Sequence, residues 1–142
     1  MQVGTVANWL KVTAGLYHTI ALRGDGTLWA WGYNSEGQMG NGTASFTDQL
    51  LPVQIGTAAD WADVVSGAYH ILARKQNGTL WAWGYNLNGQ LGDGSTTNRT
   101  TPVQIGTNTT WAKISAGGYH TVATRADGTL WAWGRNAEGQ LA

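Results

Sequence analysis

The sequence predicts an all-β protein made of three repeated units, and three observations carry that prediction. Trp29-Ala30-Trp31-Gly32 recurs as Trp81-Ala82-Trp83-Gly84 and Trp131-Ala132-Trp133-Gly134, a spacing of about 50 residues. A period of that length marks a propeller blade or a solenoid unit. The apolar residues of each unit, such as Ile20, Leu22 and the Thr27 to Trp31 run, are rich in β-branched and aromatic types and alternate over short stretches. Glycine, at 21 of 142 residues, punctuates the chain too often for helical periodicity.

The units run over about 2–51, 52–101 and 102–142, within one module spanning 1–142. Four strands are expected in each. The first follows a lone tryptophan (Trp9, Trp61, Trp111) through Val12, Val64-Val65 or Ile114. The second follows a Gly-x-Tyr-His motif that ends at His18, His70 or His120. Asp25-Gly26, Asn77-Gly78 and Asp127-Gly128 come next, and such dipeptides favour the positive φ angles of a tight type I′ hairpin. The third strand is Leu-Trp-Ala-Trp. After it comes Asn-x-x-Gly-Gln, which is turn chemistry. Val53-Gln54-Ile55 and Val103-Gln104-Ile105 supply the fourth strand.

Taken together, Trp…Gly-x-x-His…Asp-Gly-x-Leu-Trp-x-Trp-Gly-x-Asn-x-x-Gly-Gln-Leu resembles the regulator of chromosome condensation repeat family. The likeness covers essentially the whole chain and recurs in all three units. It implies a β-propeller, usually of seven blades with four antiparallel strands each. Functions in that family range from nucleotide exchange to ultraviolet sensing, and a secreted inhibitor of β-lactamase has a similar fold. The ultraviolet-sensing tryptophans of such a relative lie in Gly-Trp-Arg-His-Thr motifs. The matching positions here are Leu16, Ala68 and Gly118, so light sensing is not expected.

Three blades do not close a ring, since propellers have four to eight blades around a central channel. The third unit runs out at Gln140-Leu141-Ala142, before its fourth strand, while Gln2-Val3-Gly4 aligns with Gln54-Ile55-Gly56. The expectation is that this N-terminal strand completes the last blade of another chain. Two chains would then make a six-bladed homodimer through two head-to-tail contacts. The alternative is a piece of a longer propeller.

Formal net charge is zero, which removes the electrostatic grip on phosphate that nucleic-acid binding needs. No apolar run is long enough for a membrane-spanning helix, and Met1-Gln2-Val3-Gly4 does not read as a signal peptide. There is no cysteine, hence no disulfide or thiol-ligated metal. Few lysines and many Thr, Asn and Gly lean toward a bacterial secreted or cell-surface protein.

The three histidines occupy equivalent positions, one per blade, which suits hydrogen bonding between strands or blades and not a metal cluster. The tryptophan pairs point to one face of their strand and are expected to pack between blades. Glu36 and Glu138 are the only glutamates and sit at equivalent turns, so they form no acid/base pair. No cofactor or metal site and no catalytic constellation is expected. The binding candidates are the rim aromatics Tyr17, Tyr69 and Tyr119, with Leu16 beside them and Phe46 on the variable loop Asn41 to Leu51, which also carries Leu50 and Leu51. One end of a tyrosine packs while the other bonds, which favours it at interfaces. The expected role is a rigid, non-catalytic scaffold for protein or other macromolecular partners. A multivalent glycan-binding lectin and an assembly unit without a ligand are the alternatives, and nucleotide exchange rests on family analogy alone.

Overall fold

The computed structural model describes residues 1–142 and contains strands and no helix. In chain order they are β1 (Trp9–Ala14), β2 (His18–Arg23), β3 (Leu28–Asn34), β4 (Ser45–Gln54), β5 (Trp61–Ser66), β6 (His70–Lys75), β7 (Leu80–Gly84), β8 (Arg99–Gln104), β9 (Trp111–Ala116), β10 (His120–Arg125) and β11 (Leu130–Gly134). They form three antiparallel meanders, β1-β2-β3-β4, β5-β6-β7-β8 and β9-β10-β11, stacked as successive propeller blades. The first two have the four strands of a full blade and the third has three.

Alternation gives each blade two different faces. Ile20, Leu22, Leu28 and Ala30 of the first blade point toward the second and are buried there. Trp61, Val64, Ile71, Ala73 and Trp83 of the second blade point back and close the same core. The next boundary repeats the arrangement, with Leu72, Leu80, Ala82 and Leu91 meeting Trp111, Ile114 and Ala123. Ile55 and Ile105, just after β4 and β8, plug these two cores. Each fully buried side chain of this size contributes about 1.5–3 kcal/mol, so the blade boundaries, not the single sheets, hold the fold.

In the second blade Trp61, Trp81 and Trp83 all pack against the boundary core, the Trp-Ala-Trp pair as its alternation predicts. Trp83 Nε1 donates across it to Gln38 O (2.9 Å), and Trp133 Nε1 donates to Gln90 O (3.0 Å). The second tryptophan of each unit is also anchored from within its own blade. Trp29, Trp81 and Trp131 donate to Thr27, Thr79 and Thr129 Oγ1, each at 2.9 Å. A cation lies over their rings: Arg23 is 3.7 Å from the Trp29 centroid, Lys75 is 4.9 Å from Trp81, and Arg125 is 4.0 Å from Trp131.

Two local expectations are corrected. The β2–β3 hairpin is not type I′, because Gly26 has φ 79° while Asp25 keeps a negative φ. It is instead a three-residue loop ending in a left-handed glycine, closed by Arg23 N–H to Thr27 O (3.0 Å) and Gly26 N–H to Arg23 O (3.0 Å). The cause is the Asp25 carboxylate, which accepts from Thr27 N–H (3.1 Å) and Thr27 Oγ1 (2.6 Å) and fixes the residue in a right-handed turn. The second correction concerns Phe46, Leu50 and Leu51, which belong to the long strand β4 and not to a loop. The extra residues are absorbed by bulges, since Ala30 pairs with Val53 and Gly32 with Gln49. Pro52 sits inside the first bulge, where its missing N–H costs no ladder bond.

Candidate functional site

The rim where β1 turns into β2 gathers most of the expected binding residues. Leu16 and Tyr17 occupy that turn in the first blade and are exposed. The turns are tied across the blades by their backbones: Leu16 N–H donates to Ala68 O (3.1 Å) and Ala68 N–H to Gly118 O (3.0 Å). Tyr17, Tyr69 and Tyr119 therefore stand in a row. Tyr17 and Tyr69 have ring centroids 6.3 Å apart, and Tyr69 and Tyr119 are 6.4 Å apart.

Between them lie two tyrosines that the sequence reading missed. Tyr33, in β3, is 6.0 Å from Tyr17 and 6.4 Å from Tyr69; Tyr85, after β7, is 6.3 Å from Tyr69 and 6.0 Å from Tyr119. The result is one continuous line of five rings. Its signal in the sequence was the position after Trp-Ala-Trp-Gly, which is Tyr33, Tyr85 and then Arg135. Burial raises the Tyr69 phenol above its ordinary pKa, reinforced by Tyr17, Tyr119, Tyr33 and Glu36. Phe46 lies apart from this row on β4 and is 88% exposed, so it covers no blade edge.

The histidines sit behind the rim. His70 is fully buried and its Nε2 lies 3.2 Å from Thr121 Oγ1 of the next blade, the expected bond between blades. Thr121 Oγ1 in turn donates to Gln90 O (2.8 Å). His18 has no such partner at either ring nitrogen, because Ile71 stands where Thr121 stands one blade later. Burial lowers the pKa of His18 to about 4 and, joined by the charges of His18 and His120, that of His70 to about 3.

The two outer blade faces form the second candidate site. On the first blade, Val3, Trp9, Val12, Ala21 and Trp31 line an apolar groove of about 230 Å³. Gln2, Val3 and Gly4 join no sheet. On the third blade, Leu130 is 69% exposed, whereas its equivalents Leu28 and Leu80 are 0% exposed. Along the free edge of β11, on the side that meets the second blade and not on the outer face, runs a groove of about 730 Å³ lined by Trp131, Ala132, Trp133, Ile105 and Trp111 among others.

A sequence profile described as the regulator of chromosome condensation (RCC1) repeat matches residues 25–74 and 77–124. A second profile of the same description matches 9–38, 61–90 and 111–140. Among characterised proteins, the chain is 41% identical to the ultraviolet-B receptor UVR8 of Arabidopsis thaliana over 86 residues, covering 59% of this chain and 19% of that protein. It is 38% identical to the probable E3 ubiquitin-protein ligase HERC3 of Homo sapiens over 85 residues, covering 58% of this chain and 8% of the ligase. Among solved structures, human WBSCR16 matches with a TM-score of 0.83 at 23% identity, over 91% of this chain and 34% of that one. Yeast RCC1 (Prp20), in its complex with Kap60, matches with a TM-score of 0.80 at 25% identity, over 95% of this chain and 32% of that one. The chain thus spans about a third of these solved chains and less than a fifth of the relatives it matches in sequence.

Proposed function

From the premise that this chain belongs to the regulator of chromosome condensation repeat family, we propose that it is a non-catalytic propeller module that binds protein partners through its tyrosine rim and closes into a ring with a second copy of itself. Partner binding is supported by the five-ring tyrosine row on a rigid stack of blades. It is also supported by the likeness to yeast RCC1, which is solved bound to Kap60.

The observation that carries self-closure is that the two open faces are the two halves of an interface the chain already builds twice. Val3, Trp9, Val12, Ala21 and Trp31 are the repeat equivalents of Ile55, Trp61, Val64, Ala73 and Trp83, which close the first core. Leu130 and Ala132 are the equivalents of Leu28 and Ala30. The polar groups match as well. Trp31 Nε1 would find Gln140 O, as Trp83 finds Gln38 O. Thr19 would meet His120, as Thr121 meets His70. Val3 N–H would donate to Leu130 O, as Ile55 N–H donates to Leu28 O at 2.8 Å. Gly4 already holds φ 62°, against 60° at Gly56 and 62° at Gly106, so the backbone at Gly4 matches that of its two equivalents. Large exposed apolar faces mark association surfaces.

The test is the mass of the purified chain by light scattering on a sizing column, with and without residues 1–4. A discrete two-chain particle that dissociates when Met1 to Gly4 are removed is expected. A monomer, or an aggregate of no fixed size, would overturn self-closure and assign the open faces to other blades.

A further inference from the structure

Four tyrosines of the rim, Tyr33, Tyr69, Tyr85 and Tyr119, together with Glu36, line a cavity of about 170 Å³. That is well below the roughly 300–1,000 Å³ of sites for drug-sized ligands, and it suits the head of a single side chain. Glu36 is the only charged group in the lining. Its carboxylate accepts from Ser35 Oγ (3.0 Å) and from Asn98 Nδ2 of the next blade (2.6 Å). Both donors are neutral, so they fix the carboxylate in place and leave its charge uncompensated.

The third blade provides an internal comparison. Glu138 is the repeat equivalent of Glu36, and it is met by Arg135 at 2.5 Å. Arg135 stands at the position that Tyr33 occupies in the first blade. One blade therefore supplies its own cation at this place, while the other offers a carboxylate and aromatic rings with no cation. Aromatic faces carry negative potential and attract organic cations, and the attraction grows when water is kept away. A carboxylate beside them repels anions and gives neutral groups no comparable gain.

We propose that this cavity is an aromatic cage for one basic side chain, lysine or arginine, projecting from a protein partner. The tyrosine rings form its walls and Glu36 supplies the counter-charge. The inference rests on the binding-scaffold reading, but not on ring closure, because every lining residue belongs to a single chain.

The test titrates the full chain with four short capped peptides, Gly-x-Gly with x as lysine, arginine, norleucine or glutamate, and with maltohexaose. Binding is followed by the tyrosine ring protons in NMR spectra and by calorimetry. The expected result is saturable binding of the lysine or arginine peptide, about 10-fold or more tighter than the norleucine peptide, with shifts at Tyr33, Tyr69, Tyr85 and Tyr119. Glu36→Gln, which keeps an acceptor for Asn98, should weaken it about 10-fold. Tyr85→Leu should weaken it with Glu36 intact, and unchanged melting temperatures would show that both variants fold. Equal binding of charged and neutral peptides, affinity unchanged in both variants, preferential capture of maltohexaose, or no shift at these rings would each overturn the cage. None of these outcomes bears on the mass measurement, which judges self-closure separately.

Discussion

At the scale of single residues, the buried histidines make this protein sensitive to acid. An unfolded chain takes up a proton at each histidine as pH falls below about 6.5. Burial delays that uptake to about 4 at His18 and about 3 at His70. The unfolded state therefore binds more protons than the folded one between these limits, and stability falls as pH is lowered through that window. The slope is up to about 1.4 kcal/mol per pH unit for each histidine. Below about pH 4 the carboxylates add to the loss. Asp25 and Asp127, held low by hydrogen bonds from Thr27 and Thr129, give up their contribution as they protonate. Urea unfolding at pH 7.5 and 5.0 should thus show a clearly lower midpoint at pH 5.0. His18→Gln, which cannot titrate, should remove its share of the slope. An identical midpoint at both pH values would show that neither imidazole is buried neutral. The bond between His70 and the next blade was legible in the sequence, because one histidine per unit at one position has few other uses. The bare nitrogens of His18 were not, because the missing partner lies 53 residues away, at Ile71 in place of a threonine.

At the scale of elements, the period-two pattern placed the first three strands of every unit, since each has one face turned to a neighbouring blade. The fourth strand was foreseen only as Val-Gln-Ile. Its longer, bulged course follows Pro52 and the pairing of Gly32 with Gln49, neither of which leaves an alternating pattern. The hairpin type was misread because Asp-Gly serves two kinds of turn, and the threonine that follows decides between them. The same turn in two blades separates local strain from blade packing. Gly78 and Gly128 have φ of 79° and 85°, so a side chain at either meets the same left-handed penalty of about 1–2 kcal/mol. A Cβ at Gly78 would also lie 1.9 Å from Thr109 O of the adjoining blade segment, whereas one at Gly128 meets nothing within 4 Å. Gly78→Ala should therefore cost at least about 1–3 kcal/mol more than Gly128→Ala, the usual range for overpacking. Chemical denaturation of the two variants, both lacking residues 1–4 so that no second copy covers Gly128, measures the difference, and equal costs there would mean that the blade boundary yields at this turn.

At the scale of the whole molecule, the repeat that exposed the fold also hid part of the tyrosine rim. Near-identical units draw attention to what they share, such as Trp-Ala-Trp and Gly-x-Tyr-His. The proposed cage joins two of the shared tyrosines, Tyr69 and Tyr119, to residues that the units do not share, Tyr33 and Tyr85 against Arg135, and Glu36 against Asn88. The same departures set the electrostatics of ring closure. Within the chain, Lys11 of the first blade pairs with Asp63 of the second. At a contact between copies, the matching positions are Lys113 and Lys11, two cations. Glu36 likewise meets Asn98 inside the chain, while Glu138 would meet Asp48, the register equivalent of Asn98, across the new boundary. Closure would therefore be driven by apolar burial of Val3, Trp9, Trp31 and Leu130 against the Lys113–Lys11 repulsion at each contact, since Arg135 already pairs with Glu138. Surface pairs of this kind are worth about 0.2–1 kcal/mol each and are screened by salt, with a Debye length of roughly 30 Å at 0.01 M and 3 Å at 1 M. Apolar burial is not weakened by salt. The two-chain particle should accordingly tighten as sodium chloride is raised from about 0.02 to 0.5 M, by about 3- to 30-fold in dissociation constant over its two contacts. Sedimentation equilibrium across that series measures it. Looser association at high salt would mean that opposite charges hold the copies together, and that the blade faces meet in a register other than the one the chain uses internally.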